Sequence, residues 1–196
     1  SDAGAGLGGT NLDGVALVER SFSAGGLTFS PGELLLSTTA NTGAFTDDDI
    51  IRFTPTTLGA ATLGTLDTVA DAAGVITGGT DPDLRDFEII QESTTFGDET
   101  LSVGSIVFTT LNNNNTLLNN AGADPTSDND DLWLMVPTTY GGTTSVAISL
   151  LLDGDNAALG IGSQFLQESS LDGVAFITNP TLSFTAFTST DVNGSP

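Results

Sequence analysis

The stretch DDDIIRFTPTTLG, Asp47–Gly59, recurs as DDLWLMVPTTYGG, Asp130–Gly142. Aligned without a gap, Asp49–Gly59 falls on Asp131–Gly141, an offset of 82 residues (131 − 49). Each copy reads as a strand with a stop at either end. Aspartates supply a turn whose side chains bond the local backbone, and the apolar run that follows is a buried strand. Proline lacks the N–H that continues a ladder, and glycine permits the next reversal.

Working outward, the flanking segments repeat in the same order. Upstream, Leu12-Asp13-Gly14-Val15-Ala16-Leu17-Val18 recurs loosely at Leu84–Ile90 and closely at Leu171–Ile177. The next run, Gly32–Thr39, is echoed by Gly104–Thr110. Downstream, GTLDTVADAAGVI and VAISLLLDGDNAALGI each read as a strand followed by an acidic turn. Thr, Val, Ile and short apolar runs bounded by Gly, Asn, Asp and Pro are strand signatures. The expected fold is therefore all-β: repeated four-stranded antiparallel units forming a sandwich or an incomplete propeller-like array. The expected divisions are an N-terminal arm at 1–11, a first repeat at 12–83, a second at 84–170 and a partial third at 171–196. A short helix is expected only near Ala157–Gln167.

Composition limits the chemistry. With 196 residues, 38% of them apolar, the chain can bury a core despite a net charge of −22. Twenty-five carboxylates face three arginines (Arg20, Arg52 and Arg85), and lysine is absent. Such a field repels nucleic acid and anionic lipid and attracts divalent cations. No cysteine or histidine occurs, so disulfides, the usual zinc, haem and iron–sulfur ligand sets, and thiol or Ser-His catalysis are excluded. No apolar run approaches the length of a membrane-spanning helix. The opening SDAGAGLGGT has no basic or apolar leader and reads as a mature or trimmed start.

The combination of GELLLSTT, DDDIIRFTPTTLG and LDTVADAAGVI resembles the repeat units of large secreted bacterial surface proteins. Those follow a pattern of the type LLLST, DEDI-RFTPTSLG, DGSDVGL. The resemblance is clear at Gly32–Thr39 and Asp47–Gly59 and extends to Leu150–Leu159. The second copy departs from it where Leu134-Met135-Val136 replaces Arg52-Phe53-Thr54. The biochemical role of those repeats is uncharacterised, so the resemblance implies a secreted all-β unit and an extracellular or cell-surface location.

Acidic clusters are the main candidate sites. Calcium takes six to eight hard oxygens in flexible geometry, which Asp- and Asn-rich turns supply. The candidate ligands are Asp124, Asp128, Asp130 and Asp131, with Asp47 and Asp49 in the first repeat; none follows the EF-hand spacing. Solvated turn residues are the plainer reading of each cluster. Carboxylate pairs such as Glu88 with Glu92, or Glu33 with Asp49, lack the aromatic platforms of a sugar cleft, since the chain holds one Trp and one Tyr. No catalytic residues and no cofactor other than Ca2+ are expected. Asn114 and Asn193 head sequons open to glycosylation.

Two functional expectations follow. The first is a structural protein that assembles with copies of itself into an extracellular filament, sheath or matrix, by sharing strands between unfinished repeats. The second is a calcium-dependent adhesin or glycan-binding module.

Overall fold

The computed structural model describes residues 7, 10–72, 84–110 and 131–152. The expected arm, the partial third repeat and the helix near 157–167 fall wholly or almost wholly outside these residues. Within them the chain is all-β, with twelve strands and no helix.

β1 (Leu12–Leu17) leads through a hairpin, β2 (Phe22–Ala24) and β3 (Leu27–Phe29), to β4 (Leu34–Thr38), β5 (Ile50–Thr57) and β6 (Leu63–Ala70). The second module repeats this path. β7 (Leu84–Ile89) is followed by the hairpin β8 (Thr94–Phe96) and β9 (Glu99–Leu101), then β10 (Ile106–Thr110), β11 (Leu132–Thr139) and β12 (Ser145–Leu152). Each module is an antiparallel four-stranded sheet, β1-β4-β5-β6 or β7-β10-β11-β12, plus its two-stranded hairpin. The expected unit of four strands is thus enlarged by two. Of the four hairpin arms only Leu27–Phe29 reads as a strand along the sequence, since strands of three residues are too short to carry a detectable alternation.

The registers of the modules coincide pair by pair. Leu34↔Phe53, Leu35↔Arg52 and Leu36↔Ile51 become Ile106↔Met135, Val107↔Leu134 and Phe108↔Trp133. The irregularity between Pro55 and Thr57 recurs between Pro137 and Thr139. Up to β4 the offset is 72 (84 − 12); from Asp49 onward it is 82. The ten extra residues lie in the connection after β10, which runs through the Asn-rich stretch at 111–130.

The prolines act differently from the expectation that they end strand pairing. Pro55 still pairs with Gly64, and β5 runs on to Thr57. What ends is the pairing with β4, whose last partner is Phe53. The missing N–H is therefore tolerated because the strand has become one-sided at that point.

Antiparallel sheets alternate faces, so register partners form rows across each sheet. In the second module one face carries the rows Phe87-Phe108-Trp133-Leu150 and Ile89-Ile106-Met135-Ile148. These pack in one core with Ala16, Val18 and Leu35 of the first sheet and with Phe29 of its hairpin. At about 1.5–3 kcal/mol for each large side chain removed from water, this shared core is the main adhesive between the sheets. The opposite face of the second sheet is covered by its own hairpin, where Leu101 joins Ile90, Val107 and Leu134.

The stacking is head to tail. The first module uses its hairpin side and the second uses its flat side. The sandwich thus joins unlike faces of like modules.

Candidate functional site

The joint between modules is the most elaborated region of the described residues. Hydrogen bonds reinforce its apolar centre. Gln91 Nε2 donates to the Leu17 carbonyl at 2.7 Å, and Gln91 Oε1 accepts the amides of Glu19 at 2.7 Å and Arg20 at 3.3 Å. One amide side chain thus closes the end of β1. Beside it, Arg20 forms an ion pair with Glu92.

Tyr140 pins the other end. Its amide donates to the Gly25 carbonyl and its hydroxyl to the Gly104 carbonyl, both at 2.7 Å. Its ring meets Phe29 edge-on with centroids 6.4 Å apart. Burial raises the hydroxyl pKa well above the usual phenol range, so it remains a donor. A Cβ on Gly25 would sit 2.8 Å from the Tyr140 ring, and one on Gly104 only 1.9 Å from the Ala24 Cβ. The two modules therefore approach through glycines.

In the first module the equivalents of Phe108, Trp133 and Met135, namely Leu36, Ile51 and Phe53, are buried as well, but the positions along β1 and at residue 58 face outward. Leu12, Val15, Leu17 and Leu58 are 45% to 72% exposed, whereas Leu84, Phe87, Ile89 and Tyr140, their equivalents in the second module, are at most 5% exposed. Sequence reading missed this difference, because each pair is apolar in both copies.

Of the candidate calcium ligands, Asp124, Asp128 and Asp130 lie outside the described residues, as do Asn114 and Asn193. Asp131 is buried immediately before β11, in the place that Asp49 takes before β5. Asp49 closes a turn: Thr46 N donates to Asp49 Oδ2 at 2.9 Å, and Asp49 N returns to the Thr46 carbonyl at 3.1 Å. Thr46 Oγ1 donates to Asp48, and the Asp47 amide donates to Asn41 Oδ1. Burial raises the Asp49 pKa; Thr46 opposes the shift, and the charges of Asp48 and Asp71 add to it. Asp47 Oδ1 and Asp49 Oδ1 are buried without a hydrogen-bond partner. Among the described residues no three acidic side chains converge tightly enough to hold a metal ion.

The carboxylate pairs are separated by their structural duties. Glu33 accepts the Ser30 amide and the Thr54 hydroxyl, while Asp49 serves its own turn. Glu92 pairs with Arg20. Glu88 lies in the row Glu88-Val107-Leu134-Ser149. Burial raises its pKa to about 7, with Asp86 and Glu19 adding repulsion. Among the described residues no helix is long and apolar enough to cross a membrane.

Comparison with protein-family models, curated proteins and solved structures yields no match for this chain.

Proposed function

We propose that this chain is a secreted structural protein that assembles with copies of itself into an extracellular filament, sheath or matrix. The single observation carrying this reading is the apolar set Leu12, Val15, Leu17 and Leu58. It stands open in the first module at positions that the second module buries in its joint. Monomeric proteins rarely leave such sets uncovered unless another surface closes over them. The sequence resemblance to repeats of secreted surface proteins supports the extracellular setting. The edge strands β1, β6, β7 and β12 offer backbone for strand sharing as a further means of assembly.

Electron microscopy together with sedimentation across protein concentration tests the reading. Ordered polymers, or a concentration-dependent series of oligomers, are expected. A particle that stays monomeric at every concentration and salt overturns it.

A second reading, a calcium-dependent adhesin or glycan-binding module, is favoured by the unpaired buried oxygens of Asp47 and Asp49. It requires calcium to raise the melting temperature and the Asp49→Asn variant to abolish that rise. Identical melting curves with calcium and with chelator remove it.

A further inference from the structure

We propose that two copies of this chain pair through β12, edge to edge and antiparallel about a two-fold axis, so that their second sheets join into one eight-stranded sheet. The inference rests on the assembly reading above and names one of its contacts. An isologous contact closes at a dimer, so larger polymers draw on a further contact elsewhere.

The edges of the two four-stranded sheets are not equally guarded. Proteins blunt an edge with charge, irregularity or cover. β1 carries Asp13 and a register shift between Leu12 and Val15. β7 carries Arg85, Asp86 and Glu88. β6 carries Asp67, and its last residue, Ala70, already bridges to Gly141. β12 has none of these devices. Its eight residues, SVAISLLL, include no charge, no proline and no glycine, and its register with β11 is regular from Trp133↔Leu150 to Pro137↔Val146. Among the described residues no strand pairs with its outer side. In a chain of net −22, this is the sheet edge where a neighbour meets backbone without meeting a charged side chain.

The strand is also complementary to itself. Val146, Ile148 and Leu150 are partly buried against the shared core, while Ser145, Ala147 and Ser149 alternate with them on the exposed side. Directly opposed residues of an antiparallel pair point to the same side of the sheet. A two-fold axis through Ile148 therefore sets Ile148 against its own copy and Val146 against the partner's Leu150, all on the core side. On the other side Ala147 meets the partner's Ser149, small against small. A foreign strand would match the backbone alone. A second copy matches both faces, extends the apolar row across the axis and places no charge in the contact. Repulsion between the chains then acts from outside the strand and is screened over about 8 Å at physiological salt.

The edge is held in place before a partner arrives. At its entry Thr144 Oγ1 accepts the Asp71 amide at 2.9 Å and donates to the Gly141 carbonyl at 2.6 Å. A strand anchored in this way loses less conformational freedom on pairing.

Sedimentation velocity on the full chain tests the contact with Ala147→Asp/Ser149→Asp and Ala147→Lys/Ser149→Lys, both on exposed positions. The wild type is expected to dimerise as the first step of a concentration-dependent series. Each variant alone sets two like-charged pairs across the axis and is expected to weaken that step about tenfold. An equimolar mixture of the Asp and Lys variants is expected to recover the dimer, which also shows that both are folded. Thr57→Asp/Thr65→Asp adds the same charge at exposed positions of β5 and β6 and is expected to dimerise as the wild type does. If the wild type assembles and the β12 variants assemble unchanged, the assembly reading stands and this contact is wrong. Variants that lose the dimer and fail to recover it when mixed, while retaining wild-type melting curves, also overturn the contact. A wild type that remains monomeric overturns both, leaving the edge to a strand from another protein.

Discussion

Arg20 and Glu92 occupy the same position of their respective modules, 72 residues apart, and form an ion pair with each other across the joint. In a tandem stack, such a position meets its own equivalent at each step, so a single repeat position must carry both signs in alternation. This one does.

The ion pair is not what secures the joint. Both side chains are about half exposed, and pairs of that kind contribute roughly 0.2–1 kcal/mol. Gln91 makes three hydrogen bonds to backbone at the same place. Gln91→Ala should therefore destabilise by about 1–2 kcal/mol, more than Arg20→Ala, with urea unfolding as the measurement. Only the Arg20 effect should shrink as salt is raised.

Tyr140→Phe leaves the Gly104 carbonyl without its buried donor. Removing one partner of such a bond costs about 1–3 kcal/mol, so a lower denaturation midpoint with an unchanged slope is expected. Retained stability would show that the edge contact with Phe29 suffices.

Gly104→Ala and Gly32→Ala separate backbone strain from the close approach at the joint. Both glycines hold positive φ, +84° and +92°, so both variants carry the roughly 1–2 kcal/mol cost of a left-handed Cβ. Only at position 104 does the added methyl also collide with Ala24. Thermal unfolding should show Gly104→Ala as clearly the worse of the two by several degrees.

Glu88 supplies a pH dependence. Its folded pKa of about 7 exceeds its reference value of 4.5. The folded state therefore holds the proton more tightly, and the corresponding stability is full below about pH 4.5 and lost as pH rises through about 7. Glu88→Gln should match the wild type near pH 4 and exceed it near pH 8, by on the order of 1 kcal/mol once partial exposure is allowed for. Melting temperatures across that range provide the check; a constant difference would place the effect elsewhere.

Much of the fold can be read along the chain because its information is local. Pro55 and Pro137, Gly59 and Gly141, and the aspartates before β5 and β11 mark equivalent strand ends, and the constant offset of 82 carries the register with them. The hairpins β2–β3 and β8–β9 were only partly legible, with Leu27–Phe29 the one arm that shows as a strand, because three-residue strands are held by the sheet beneath them. Asp49 is legible as a turn residue, but its unpaired oxygen is not, since burial depends on what packs above it.

The sequence by itself determined the longer strands and their order, written twice within the described residues. Only the tertiary structure decided which of the equivalent apolar positions became interior. Val15 and Phe87 are the same position and both apolar, yet one meets water and the other meets Gly14 of the neighbouring module. Hydrophobic burial has no direction of its own; a face becomes core only when another surface closes over it.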